Sequence, residues 1–414
     1  MPLKKKLYNL LKWSEKYTKT DMVYVARGGF WFTLGQVITF LSGFLLTWVF
    51  ANFVDKDVYG TYKFVISIAS ILAIPTLSGM NTALLRAVAK GREGALISVL
   101  KTKLKWGVFS ALASFILSGY YFYKGNITLT LSFLLIAGFI PLMNSFSVYD
   151  SFWAGKKRFD IQNKCKTFIH IASVLIIIVI IFLTKNVFLV LLSYFASWSI
   201  LGFLLTLFTI KKAGLKEQED KESLRYGKHL SVIDILGTVD AHLDKILLWH
   251  FLGASQVAIY AIAITLPSTI KGCLKVVSNL AMPKLSAKNP KELKKTVPRK
   301  TLLLFLIAIP LTIAYILFAP FLFRIFFPQY QEFVFLSQVY AVILCFFPRA
   351  LFGTALTAQM KTKSLYKMSF ILSPTYIVLL FALVPLLGIM GAILAALITE
   401  VITFFLQFLF FKKM

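Results

Sequence analysis

The feature that most limits how this chain can fold is an alternation. Apolar runs of about twenty residues follow one another along its length. The segments between them are basic and nearly uncharged by turns. The basic ones carry Lys4-Lys5-Lys6, Arg86/Lys90/Arg92, Lys156-Lys157-Arg158, Lys211-Lys212, Lys291/Lys294/Lys295/Arg299/Lys300, Lys361/Lys363 and Lys412-Lys413. The others are short and hold only Lys56, Lys63, Lys124, Lys185 and Arg324. Twenty apolar residues in a helix cross ~30 Å of hydrocarbon, and Lys and Arg accumulate in loops that stay in the cytoplasm. The alternation therefore predicts an all-α integral membrane protein with both termini cytoplasmic and an even number of spans.

Twelve spans satisfy it: 28–50, 61–82, 104–123, 127–149, 162–183, 187–210, 228–250, 257–280, 301–323, 332–356, 366–387 and 389–411. The seventh is included by parity, not by hydropathy. Ser223 to Ala263 is the most polar stretch of the core, with Asp234, Asp240, His242, Asp244 and Lys245. Were it not to cross, every later basic loop would lie outside the cell. Composition agrees with membrane helices: 58% of residues are hydrophobic and 40 are Phe. The runs are continuous, which excludes the alternating strands of a β-barrel.

The net charge of +28 sits in short caps between spans, so it points to the positive-inside rule and not to nucleic acid. Cys165, Cys273 and Cys345 are scattered, show no disulfide or metal spacing, and serve as core filler. Residues 1–27 are too charged for a signal peptide. They are predicted to include an amphipathic surface helix with Leu3, Leu7, Leu10, Leu11 and Trp13 on its apolar side. Pro75, Pro141, Pro267, Pro310, Pro320, Pro348, Pro374 and Pro385 fall in or near spans, where neighbours satisfy the freed carbonyls; most are ordinary kinks.

Six spans pair with six. A gapless shift of 198 residues places Arg27 on Arg225, Gly29 on Gly227 and Val54–Tyr62 on Leu252–Tyr260. Farther on, Ser70 meets Ser268, Asn81 meets Asn279 and Ala83 meets Ala281. Both copies occupy the first hairpin of a half. An even number of spans per half gives the halves one orientation, so they are expected to be related by an axis along the membrane normal. The predicted organisation is a cytoplasmic segment 1–27, a six-helix lobe 28–210, a linker 211–227 with charged Glu217 to Lys221, and a second lobe 228–411.

Four phrases resemble one family. ANFVDKDVYGTYKFVISIAS after the first span resembles the hairpin of polysaccharide and oligosaccharide flippases. That superfamily also holds the MATE multidrug antiporters and the lipid II flippases. DKILLWHFLGASQVAIYAIA with AMPKLS at 281–286, LFRIFFPQYQEF at 322–333 and LVPLLGIMGAILAALITE at 383–400 continue the resemblance in the family's order. One departure is Pro328, where members often carry glycine. The resemblance implies a MATE-like fold of two pseudo-symmetric lobes set as a V around a cavity. It implies flipping of a polyprenyl-(pyro)phosphate-linked oligosaccharide across the cytoplasmic membrane by alternating access. Polysaccharide polymerase and glycosyltransferases are the implied partners, and a two-lobed chain suits a monomer.

Charged residues inside the spans are the candidate site, because each costs ~2.5–3.5 kcal/mol unless it faces protein or water. On a continuous helix, Asp234, Thr238, His242 and Lys245 share one face of span 7, with Asp240 and Asp244 on its flank. They either line a hydrated cavity or form internal ion pairs, and the first is favoured. Lys271 and Lys275 lie one turn apart in span 8, Arg349 in span 10, Arg86 and Asp150 at the ends of spans 2 and 4. Lys275 and Arg86 are equally explained by snorkelling, and His170 by a core hydrogen bond. Lys245, Lys271, Arg349, His242, Arg86 and Lys275 are the predicted cationic set for an anionic lipid-linked sugar. Asp234, Asp240, Asp244 and Glu400 are candidates for a coupling proton or Na⁺, or they neutralise the cations.

Outer connections of about ten residues leave no room for an extracytoplasmic catalytic domain. No phosphate-binding loop, metal-ligand pair or nucleophile elbow occurs either, so neither an enzyme nor a resident cofactor is expected. Two rivals to flipping remain: a MATE-type small-molecule antiporter driven by H⁺ or Na⁺, which should show an acidic aromatic pocket, and an inert membrane partner of synthesis enzymes.

Overall fold

The computed structural model describes residues 22–213, 220–286 and 288–414, without the side chains of 22–34, 275–277, 279, 280, 283 and 284. The surface helix expected in 1–27 is thus outside the described residues up to position 21, and the linker outside them over 214–219. Everything regular among the described residues is helical. In chain order these are α1 (Met22–Phe53), α2 (Lys56–Leu72), α3 (Gly79–Ala89), α4 (Ala95–Tyr123), α5 (Ile127–Ser145), α6 (Val148–Gly155), α7 (Phe159–Leu183) and α8 (Val187–Ala213). There follow α9 (Lys221–Asp240), α10 (Leu243–Leu252), α11 (Ala254–Ser286), α12 (Pro290–Phe326), α13 (Val334–Ala341), α14 (Ala350–Ala358) and α15 (Thr362–Lys412). Tight 3₁₀ turns at Ile74–Thr76, Pro328–Phe333 and Val342–Arg349 connect some of them.

Eight described stretches are long and apolar enough to cross a membrane, and α2 with the helix after its bend makes a ninth. The last stretch, α15, holds two predicted spans in one element. Its backbone leaves the helix at Gly388 (φ 60°, ψ −133°). There the chain folds back: a Cβ on Gly391 would collide with the carbonyl of Leu383, eight positions earlier. Only glycine tolerates both the dihedral and the approach. Outward faces are apolar, as lipid requires: Phe109, Phe115 and Ile116 on α4 and Leu303, Leu306, Ile307 and Leu317 on α12 are exposed.

Several spans are broken. Span 2 is interrupted between α2 and α3, where Leu77 takes a left-handed conformation (φ 61°). Span 4 breaks at Phe146–Ser147 between α5 and α6. The continuous helix expected across 228–250 is not observed. It stops at Asp240 and resumes at Leu243, so the single polar face drawn through Asp234, His242 and Lys245 does not exist. A helix accumulating Asp240, His242 and Asp244 within five residues gains by breaking. Asp244 then lies in the first turn of α10, where its carboxylate accepts the N–H of Lys245 at 2.7 Å and meets the positive end of the helix dipole.

Packing divides the chain into two units. Among the described residues, unit 1 takes 22–46, Leu72–Thr184 and the described part of Phe188–Asp234. Unit 2 takes Thr47–Ile71, Lys185–Val187 and Ile235–Met414. In unit 1, Met80 and Leu84 of α3 pack with Leu96 and Val99 of α4 and Val148 and Phe152 of α6. Below them α4 turns a strip of small residues, Gly107, Ser110, Ser114 and Ser118, inward. A Cβ on Gly107 would lie 2.9 Å from Pro141 of α5, and Ser118 donates to the Thr130 carbonyl at 2.8 Å. Lipid supplies no hydrophobic drive between helices, so such close backbone approach and hydrogen bonding hold them.

Unit 2 has a separate core of Leu293, Val297, Phe352, Ala355 and Phe411 from α12, α14 and α15. Here α2 meets the start of α11. A Cβ on Gly60 would overlap the Ala254 carbonyl, and Ser255 donates to Asp57 Oδ1 at 2.8 Å. Asp57 and Ser255 are the positions equated by the 198-residue repeat.

Candidate functional site

Most of the candidate residues described in unit 2 gather around three carboxylates. Glu400, in the second arm of α15, is the node of the largest cluster. Its Oε2 accepts from Arg349 Nε at 2.6 Å, and Lys271 Nζ of α11 pairs with Oε1. Arg349 reaches on to Gln407 Oε1 at 3.3 Å. The node therefore carries two cations on one anion. Arg349 stands where the 3₁₀ turn Val342–Arg349 gives way to α14, a geometry that swings its guanidinium toward α15.

Asp244 is the second carboxylate. Its side chain is buried and receives Lys245 Nζ at 3.0 Å and the Tyr260 hydroxyl at 2.7 Å. The ammonium of Lys245 also lies 5.8 Å above the Tyr260 ring. Lys245 is thus neutralised by its own neighbour. The third is Asp240, the last residue of α9. Its Oδ2 accepts from Ser373 of α15, while Oδ1 is buried without a hydrogen-bond partner among the described residues, as is Nδ1 of His242. An acid at a helix C-terminus faces the negative end of the dipole, so this spot attracts a cation or proton.

Unit 1 receives the rest. Asp234 accepts from Ser78 at 2.8 Å. Arg86 stacks on Tyr226, 5.0 Å from the ring centre, and with Lys221, Glu222, Arg225 and His229 lines an open cavity of about 720 Å³. Asp220 caps α9, accepting the N–H of Ser223 at 3.1 Å and the guanidinium of Arg92 at 3.0 Å. Burial acts to raise the Asp220 carboxyl, but the Ser223 donors and Arg92 outweigh it and hold the group below the usual carboxylate range. His170 contacts the Thr39 carbonyl at 3.0 Å, the core hydrogen bond considered for it. Asp150 accepts from Gln162 at 3.1 Å. The side chain of Lys275 lies outside the described residues.

The structure thus brings Lys271, Arg349 and Glu400 together, keeps Lys245 with Asp244, and assigns Arg86 and Asp234 to the other unit. Sequence reasoning missed Lys103, which is 1% exposed. The signal was present, since Lys103 continues the helical face of Gly107, Ser110, Ser114 and Ser118. Among the described residues no cluster of His, Cys, Asp and Glu is arranged to hold a metal ion, and the three cysteines are free thiols.

Comparison with known proteins decides the family. Residues 25–287, more than half the chain, match the family model of the polysaccharide biosynthesis proteins. The chain belongs to this family. No curated protein matches it significantly. Among solved structures, this polysaccharide biosynthesis protein is similar to the lipid II flippase MurJ in an inward closed conformation, with TM-score 0.67, 18% identity, and 92% of this chain and 87% of that one covered. It is also similar to an inward-facing MATE multidrug transporter of the MOP superfamily, with TM-score 0.64, 12% identity and coverages of 91% and 94%. A third is a MOP-superfamily transporter from Pyrococcus furiosus described as having a binding pocket of reverse polarity, with TM-score 0.60, 13% identity and coverages of 94% and 95%. At these identities the likeness is one of fold: a multi-pass, all-helical transporter scaffold shared by flippases and antiporters.

Proposed function

We propose that this polysaccharide biosynthesis protein flips a polyprenyl-(pyro)phosphate-linked oligosaccharide across the cytoplasmic membrane by alternating access, with both termini in the cytoplasm. The observation that carries this reading is the charge of the Glu400 node. Lys271 and Arg349 share one carboxylate, and the uncompensated positive charge suits the pyrophosphate of such a substrate. Arg86 and Arg225 in the unit 1 cavity offer the same chemistry at a second place. A MATE-type antiporter for organic cations would be served by the opposite sign. Asp240 is the proposed coupling residue, because its free oxygen at the end of α9 can take a proton or Na⁺. Polymerase and glycosyltransferases are the proposed partners, and the chain acts as a monomer.

The test is genetic. In a host lacking the gene, wild type restores surface polysaccharide, whereas Lys271→Ala or Arg349→Ala does not at equal protein level. Normal polysaccharide in both variants sinks the role of these residues. Protection of a drug-sensitive host against cationic dyes, with no effect on polysaccharide, favours the antiporter.

A further inference from the structure

Among the described residues Lys103 has no counter-ion. Its Nζ donates to Asn81 Oδ1 at 2.8 Å and to Ser147 Oγ at 3.5 Å. The Asn81 amide also donates to Ser147 Oγ, at 3.3 Å, and the Ser147 hydroxyl spends its proton on the Asn144 carbonyl at 2.7 Å. Lys103 therefore meets two neutral acceptors. A neutral amine has two N–H groups and fits this pair; an ammonium has a third, for which the described residues provide no acceptor.

The elements packed against α4 bring little charge. The turn Ile74–Thr76 and α5 carry no titratable side chain, α3 carries Arg86, and α6 carries Tyr149 and Asp150; α9 brings Lys228, whose ammonium lies 5.6 Å over the Trp106 ring of α4, and Asp234, which is bonded to Ser78. Arg86 is stacked on Tyr226, and Asp150 is bonded to Gln162. On α4 itself the neighbours are Lys101 and Lys105. No described carboxylate lies within ion-pair distance of the amine. Burying an ammonium in such a place is expensive, and the amine is not.

The location gives the site a consequence. Asn81 stands just after the left-handed Leu77 that interrupts span 2, and Ser147 lies in the gap that interrupts span 4. One amine ties the two breaks together. We propose that Lys103 is a proton-binding site: its amine takes a proton from water and returns it, and the step between two and three N–H donors resets the hydrogen bonds across the breaks of spans 2 and 4. The inference is independent of the cargo.

The experiment uses the full chain in lipid nanodiscs, labelled with [ζ-¹⁵N]lysine. The resonance of Lys103 is assigned by its loss in Lys103→Arg and followed against pH. The expected result is a switch between ammonium and amine in a range clearly separated from that of the exposed lysines. An ammonium signal that titrates together with the exposed lysines overturns the proposal. Amide exchange over 77–81 and 144–148, corrected for its intrinsic pH dependence, reads the breaks. Wild type should change protection at the same pH. Lys103→Arg, always charged, and Lys103→Met, never charged, should not. Should Lys103→Met fail to fold, the wild-type titration and Lys103→Arg still decide, and pH-dependent protection that persists in Lys103→Arg counts against the site.

Discussion

Glu400 is the single residue that holds the charged node of unit 2 together. It was legible in the sequence as an acid within a span, but whether it bound an ion or neutralised the cations depended on where three distant segments met. The structure places it between Lys271 and Arg349. Removing one member of a half-buried charge cluster leaves the others uncompensated, at a cost below the ~3–5 kcal/mol of a fully buried pair. Glu400→Ala should therefore lower the thermal midpoint of the purified protein sharply. Adding Lys271→Met to it should recover part of the loss, because one orphaned cation goes with it. An unchanged midpoint in Glu400→Ala would show that water already compensates the node. Lys103 teaches the complementary lesson. In the sequence it is one more lysine in a basic connection, and only its register with the small-residue strip of α4 marks it as buried.

At the scale of elements, hydropathy located the eight described stretches able to cross a membrane, while the interruptions of helices escaped. A break needs only one or two residues to leave the helix, as at Ala241–His242 or Gly388, and neighbours decide whether they do. The 198-residue shift pairs span 7 with span 1, yet α1 runs unbroken and the ionisable counterpart is split. The hairpin within α15 can be tested directly. Gly391→Leu would thrust a side chain into the Leu383 carbonyl, and well-folded yield after detergent extraction should collapse, whereas Gly119→Leu, at a position with open space, should be tolerated.

The cap of α9 adds a pH dependence. The Asp220 carboxyl is held low in the folded protein, so its stabilisation is present above the pH at which the unfolded group ionises. It is lost as pH falls through the lower, folded value. Asp220→Ala should cost about 1 kcal/mol at neutral pH, as N-cap losses do, and the gap between variant and wild type should close in acid. A gap that stays constant down to strongly acidic pH would mean the carboxylate contributes nothing by its charge.

For the whole molecule, the four phrases that resemble the flippase family anticipated the scaffold that MurJ and the MATE transporters share. They could not anticipate how packing groups the chain. Thr47–Ile71 joins the unit built mainly from the second half, and Lys221–Asp234 the unit built from the first, because helices pack by surface and not by sequence order. The proposed function rests on charge. A cation-rich node is suited to an anionic lipid-linked sugar and unsuited to an organic cation. The most direct measurement is flipping by purified protein in vesicles, with a fluorescent polyprenyl-pyrophosphate oligosaccharide and a membrane-impermeant quencher. Wild type should speed exposure of the label to the quencher about tenfold or more over empty vesicles, and folded Lys271→Ala should lose most of that gain. Wild-type vesicles that leave the sugar lipid in its leaflet while transporting an organic cation would contradict it.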